Sequence, residues 1–534
     1  MKKLPSSAKL LGAGRAGKVF LVDSEKCLLA RKIFYKDKLA SIINYFFFGA
    51  PNPYIWNEDA INCAFYRRKI LSALIQFWFG DRLQVAEAIA INWNQEFKAY
   101  QFDTGFVSGR HVALRHPFNR ERNGELSALV KGIMIPLQKK LLEAGFDGLI
   151  WQVGKGTPNA LNNFLLAEST PEQYVFAWID LESGVPALFP LNPLALCSFY
   201  LPKSIQYKRA LFDDVNAQKI KQYVNKYQAE LQEIWGGQQY NEILEYIDRL
   251  EVSQEKWKSM RRIENNIQYH LKKGEINQQQ ANWYLAHPFF WYKREAIALF
   301  KLVINKVFVA LPILIIQKLT TIPYRQFLHQ FGQFIFSQRY RLSLAKNYIR
   351  KKINYWQDRK HLTEEESNYL LQHLERDRSS DYLNDFGVHL GIKTFFTVIE
   401  LVFTPPLYLV NFIDEFIVIA WLIAGGPIYR TVYTLWRMFQ NASNRQEIPW
   451  VALLVGLIPT FGVLAYPCQI IYSAQGRKKK IAKFIIYDFF TQIGAKIPIW
   501  GGEDTQTEHF FNRFADKIVA RQGSHTKALQ TNKP

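Results

Sequence analysis

Cysteine is scarce and scattered: Cys27, Cys63, Cys197 and Cys468 are the only four in 534 residues, and no two stand at C-x-x-C spacing. That spacing does not suggest a disulfide framework and fits a reducing compartment. The ten histidines include no H-E-x-x-H pattern, and His111 and His116 read as structural residues rather than a metal pair. The opening MKKLPSSAKLLGAGRAG carries basic residues but no apolar core of signal-peptide length, so the N-terminal domain is expected in the cytoplasm. Acid is also in deficit, 46 Asp and Glu against 67 Lys and Arg, and the net charge of +21 favours a polyanionic partner. The basic residues lie beside hydrophobic segments and not in a nucleic-acid motif, which points to an anionic membrane face rather than to nucleic acid.

What is present begins with Leu11 to Lys32, three glycines followed by apolar runs and a lysine. Gly12, Gly14 and Gly17 make a G-x-G-x-x-G, but the residues after it are Val19-Phe20-Leu21-Val22, a polar break, and Cys27 to Phe34. Two strands and a turn are expected there, where a dinucleotide fold would open a helix. Gly12 and Gly17-Lys18 also stand at P-loop spacing, yet Val19 takes the place of the Ser or Thr that would hold magnesium. A third template is a glycine-rich strand turn, G-x-G-x-x-G-x-V, with a lysine on the next strand; Gly12, Gly14, Gly17, Val19 and Lys32 meet it. A glycine-rich hairpin without a ligand is the plain alternative.

Tyr45 to Ile55 reads as an aromatic loop interrupted by Pro51 and Pro53. Glu58 to Trp78 has apolar residues at near-helical spacing beside Arg67, Arg68 and Lys69. Val85 to Trp93 and Lys98 to Phe102 are expected strands, and Gln138 to Ala144 a helix ended by Gly145. Then come Asn163-Phe164-Leu165-Leu166 and, a hairpin later, Trp178-Ile179-Asp180-Leu181-Glu182-Ser183-Gly184.

In that order these pieces resemble the protein-kinase-like superfamily, in particular its divergent bacterial members such as lipopolysaccharide-core and other small-substrate kinases, over roughly the first 210 residues. The resemblance implies a two-lobed α+β domain binding ATP and Mg. In it Gly12, Gly14, Gly17, Val19 and Lys32 would hold phosphates, and Asn163 and Asp180 the metal. The stretch 104–110 would be the hinge against the adenine. Glu58 would pair the strand lysine, or else serve as an acid at a helix N-terminus. Oxygen ligands suit magnesium, and a lysine neutralises phosphate without blocking it. One departure stands out: five residues before Asn163, where these enzymes keep an Asp as base, is Pro158, and no Asp lies between Asp147 and Asp180. Asp147 is a substitute base or a turn residue.

From 205 to about 272 polar helices are expected, with a break at Gly236-Gly237. Residues 274–285 and 360–371 form a faint repeat, each with a cap three residues before Gln or Glu. Ile448 to Gly476 has 29 residues without charge and ends at Arg477-Lys478-Lys479-Lys480, which is expected to span a bilayer with that end in the cytoplasm. Residues 394–413 and 416–429 are candidate partners, and 304–316 a candidate interfacial helix. Glu400, Asp414 and Glu415 then read as relay acids or as acids facing headgroups.

The expected architecture is thus a two-lobed kinase-like N-terminal α+β domain (1–250), a basic helical region (251–390), transmembrane helices (391–476) and a tail (477–534). The expected protein is an integral membrane one with both termini cytoplasmic. It would bind Mg-ATP and phosphorylate a lipid or glycan acceptor, or else act as a catalytically inactive pseudokinase or a transporter accessory.

Overall fold

The computed structural model describes residues 9–14, 16–24, 27–112, 116, 124–155, 160–169, 174–187, 195–304, 317, 323–376 and 381–396, with short stretches between 429 and 488. The chain divides into two compact units. The first takes in residues 1–113, 122–298 and 494–508, the second 114–121, 299–493 and 509–534.

In the first unit, β1 (Lys9–Ala13), β2 (Gly17–Ser24), β3 (Cys27–Phe34), β5 (Ala88–Asn94) and β6 (Ala99–Gly105) form an antiparallel sheet in the order β1-β2-β3-β6-β5. The β2 and β3 strands sit where apolar, β-branched runs flank a polar break, with Val19 opposite Lys32. A second sheet, β4-β8-β7, joins β4 (Leu83–Val85), β8 (Tyr174–Trp178) and β7 (Phe164–Ser169).

Between β3 and β4 come α1 (Lys38–Phe48) and α2 (Glu58–Phe79). The prolines do not keep Tyr45 to Phe48 out of a helix, because Asp37 caps α1 and Gly49 closes it before Pro51 is reached. Asn57 caps α2 and accepts from the Ala60 amide at 2.8 Å. One face of α2, with Ile61, Ala64, Leu71 and Leu74, is fully buried in a core that also takes in Phe102, Phe164 and Trp178. The helix α3 (Ile135–Ala144) ends at Gly145, and α4 (Ala217–Lys226) and α5 (Gln228–Ser259) follow, α5 broken at Gly236 where φ is 75°.

The first unit runs past residue 250. On α6 (Arg262–Lys272) Asn265 and Asn266 donate to the Phe48 and Gly49 carbonyls at the end of α1. After α6 comes α7 (Gln278–Ala286), capped by Asn277 with Gln280 reaching back to the Asn277 amide at 3.0 Å. Next comes α8 (Pro288–Ile304), of which residues up to Ala298 belong to the first unit.

The second unit contains α9 (Tyr324–Phe336), α10 (Gln338–Asp358), α11 (Glu364–Arg376) and α12 (Asp381–Gly391). Thr363 and Glu366 cap α11 as Asn277 and Gln280 cap α7, the Thr363 amide donating to Glu366 at 2.7 Å. Leu362, Leu370, Leu374, Phe386 and Phe484 close a core around Trp356.

The expected transmembrane region is corrected here. Among the described residues no helix is long and apolar enough to cross a membrane, which overturns the all-α membrane-spanning architecture and the placement as an integral membrane protein. The physical reason lies in the helices themselves. Charges recur along each long one: Arg67, Arg68 and Lys69 in α2, Lys293, Arg294, Glu295 and Lys301 in α8, and Arg339, Arg341, Lys346, Arg350, Lys351 and Lys352 in α10. The stretches 397–413, 416–428 and 448–476, with Glu400, Asp414 and Glu415, and nearly all of the expected interfacial segment 304–316, lie outside the described residues.

Candidate functional site

The site forms where the central strand of the five-stranded sheet meets the chain leaving β8. On β3, Lys32 is largely buried, and its Nζ lies 2.7 Å from Asp180 Oδ1 and 3.2 Å from Glu182 Oε2. The two acids stand two residues apart on the chain leaving β8 and reach the same amine, but their surroundings differ. The Asp180 side chain is 41% exposed, whereas that of Glu182 is fully enclosed.

Glu182 is enclosed against Arg68, from the middle of α2. Arg68 Nε and Nη2 each donate to Glu182 at 3.1 Å, while its remaining hydrogens reach the Ala86 carbonyl at 3.0 Å and the Ile179 carbonyl at 2.8 Å. Burial works against the charge on Glu182, but Arg68 and Lys32 outweigh it and lower the carboxyl pKa to about 2. For Lys32 burial is again the largest single influence and opposes the charge; Asp180 and Glu182 together overcome it and raise the pKa.

The stretch after β8 is fixed from several sides. The Ile179 amide donates to the Asn163 carbonyl at 2.8 Å, which sets Asn163 beside Asp180. The Trp178 indole donates to the Asp180 carbonyl at 3.0 Å, and the Ser183 amide to buried Asp213 at 3.0 Å. Asp213 also accepts from the Tyr54 hydroxyl at 2.6 Å. Asn44 on α1 donates to the Gly184 carbonyl at 2.8 Å. Gly184 has φ of 69°, and a Cβ there would lie 2.6 Å from the Cβ of Ala16, so the glycine-rich turn between β1 and β2 seats directly on it.

The glycine residues have separate tasks. Gly17 faces the β3 backbone so closely that a Cβ would approach the Ile33 carbonyl to 2.8 Å, whereas Gly12 and Gly14 open onto free space. The Gly14 amide donates to the Gly17 carbonyl at 2.9 Å, and the Tyr35 hydroxyl to the Gly14 carbonyl at 2.7 Å. Val19 lies within β2, opposite Lys32. The strap linking the sheets is held at both ends, the Phe106 amide on the Leu28 carbonyl and Arg110 in a reciprocal backbone pair with Leu166.

Lys32 and Asp180 thus meet through their side chains, Asn163 joins the same stretch through its backbone carbonyl, and two further sequence-predicted residues do not join them. Glu58 is in the first turn of α2 and accepts from the Tyr100 hydroxyl at 3.3 Å. Asp147 is buried, with Lys203 Nζ at 2.9 Å and the Tyr207 hydroxyl at 3.2 Å as its side-chain partners among the described residues. Pro158 lies outside the described residues.

No family model matches the chain, and no curated protein matches it significantly. What the site can do therefore rests on its own residues. Three of them escape the sequence patterns: Glu182, Arg68 and Gln152, whose side chain and carbonyl both receive the Asn163 amide at 2.9 Å. A signal for Arg68 exists, since it stands four residues after Ala64 and three before Leu71, a charge set within the buried stripe of α2. Among the described residues no group of three or more His, Cys, Asp or Glu could hold a metal ion by itself.

Proposed function

We propose that the first unit is a kinase-like nucleotide-binding module that takes up Mg-ATP between its two sheets and acts through occupancy rather than phosphate transfer. The observation that carries the reading is the buried Lys32 amine 2.7 Å from half-exposed Asp180, with Asn163 tied to the adjoining residue. The donor set suits magnesium arriving with its nucleotide. One carboxylate and one amide oxygen are what a protein adds when phosphates and water supply the remaining ligands. Lys32 Nζ, steadied by Glu182, is the cation that would offset phosphate charge, and the open backbone around Gly12 and Gly14 would lie along the phosphates.

The residues argue against turnover. Phosphoryl transfer to a hydroxyl is helped by a proton acceptor near the acceptor oxygen. The side chain that Asn163 fastens is Gln152, a neutral amide, and Asp147 is committed to Lys203 and Tyr207. The full-length chain titrated with Mg-ATP should bind it, and the same samples should release no labelled γ-phosphate to water or to added hydroxyl acceptors. Absence of binding would end the reading. Transfer abolished by Asp180→Ala would make the protein a phosphotransferase instead.

A further inference from the structure

The amide orientations around Gln152 can be deduced without seeing a hydrogen. Asn163 reaches the Gln152 backbone carbonyl at 2.9 Å, and only its Nδ2 can donate to a carbonyl. That same Nδ2 lies 2.9 Å from the Gln152 side chain, which must therefore present its oxygen, and Gln152 Nε2 is turned the other way. There it is buried and, among the described residues, has no hydrogen-bond partner, in a residue only 4% exposed. Two amide hydrogens left unmet in the interior are costly, and they belong to the residue that Asn163 holds next to the Asp180 stretch.

From this we infer that Gln152 is a ligand-binding residue of the nucleotide site, its Nε2 donating to an anionic oxygen of the terminal phosphate. The inference rests on the nucleotide-binding reading above. An amide at this position offers hydrogens and takes none, so it favours the triphosphate over the diphosphate without promoting its cleavage. The Asn163 side chain couples the two ends of the arrangement. Its nitrogen fixes Gln152, and its oxygen, to which no described residue donates, is the atom that would meet the metal.

The test is equilibrium binding of Mg-ATP and Mg-ADP to the full-length chain and to two variants. Gln152→Met removes the donor while keeping the volume. Gln152→Glu keeps an oxygen for Asn163 and replaces the donor by an anion. Loss of a hydrogen bond to a charged group should cut ATP affinity about tenfold or more in Gln152→Met, with ADP affinity little changed. Gln152→Glu should lose more ATP affinity than Gln152→Met, again sparing ADP. An unchanged ATP-to-ADP ratio in both variants would overturn the inference while leaving nucleotide binding intact. Equal loss of both nucleotides in both variants would overturn it too, making Gln152 a structural residue. If the wild-type chain binds neither nucleotide, the underlying reading fails first.

Discussion

Arg68 on α2 and Glu182, two residues beyond Asp180, meet in a fork-to-fork pair with both contacts at 3.1 Å and both side chains almost wholly enclosed. The pair ties the long helix to the stretch that carries Asp180, and it fixes the acid on which Lys32 rests. In this way the helix contributes a cation and the later chain an acid, and Lys32 is steadied by Glu182 rather than by Glu58.

Breaking this pair on one side should cost far more than replacing both partners. Arg68→Met leaves the buried Glu182 carboxylate with Lys32 as its remaining cation and should destabilise the first unit by about 3 kcal/mol in chemical denaturation. In the double variant Arg68→Met/Glu182→Met the loss should be smaller than the sum of the single losses. Additive losses would mean that the two side chains do not depend on one another.

Acid should weaken the same pair. Because the Glu182 carboxyl is lowered from 4.5 to about 2 in the fold, its stabilisation is fully present above pH 4.5 and is lost as pH falls toward 2. Stability measured between pH 5 and 2.5 should decline, and Glu182→Gln should flatten the part of the decline that this group causes.

The second unit should respond to acid earlier. His116 packs against Trp356 and Phe484, its amide donates to the His361 carbonyl at 2.9 Å, and burial lowers the ring pKa to about 3; His361, also chiefly by burial, is lowered to about 4. Both rings are neutral in the fold and become charged more readily once unfolded. Their contribution is complete above about pH 6.5, the ordinary histidine value, and lost as pH falls below it. Replacing His116 by Phe should leave the ring packing and remove part of the dependence, read by thermal melts from pH 7 to 4.5.

Gly184→Ala should damage the seat of the glycine hairpin. The new methyl enters a positive-φ position against Ala16, and a loss of more than about 1 kcal/mol is expected, with weaker nucleotide binding. Gly12→Ala, where nothing lies within 4 Å of the added methyl, serves as the control for stability.

Strands β2 and β3, helix α2 and the end of α3 at Gly145 were legible because each is written in local pattern: apolar runs beside a polar break, helical spacing, a glycine stop. The α1 helix was not, since Pro51 and Pro53 drew attention to a loop whose first part Asp37 caps into a helix. At the site, Lys32, Asn163 and Asp180 could be named from order along the chain. Gln152 and Glu182 could not, because their roles arise from contacts across 11 and 114 residues, which no short window contains. Long uncharged stretches suggested membrane spans; among the described residues no helix is long and apolar enough to be one, and 448–476 lies outside those residues.

The central claim is that Lys32 and Asp180 serve one bound Mg-nucleotide, and calorimetric titration of the full-length chain tests it most directly. Mg-ATP should bind the wild type and bind Lys32→Met at least tenfold more weakly. In Asp180→Ala the advantage of Mg-ATP over metal-free ATP should disappear. Wild-type protein that takes up no heat with Mg-ATP, or variants that bind as the wild type does, would contradict the account.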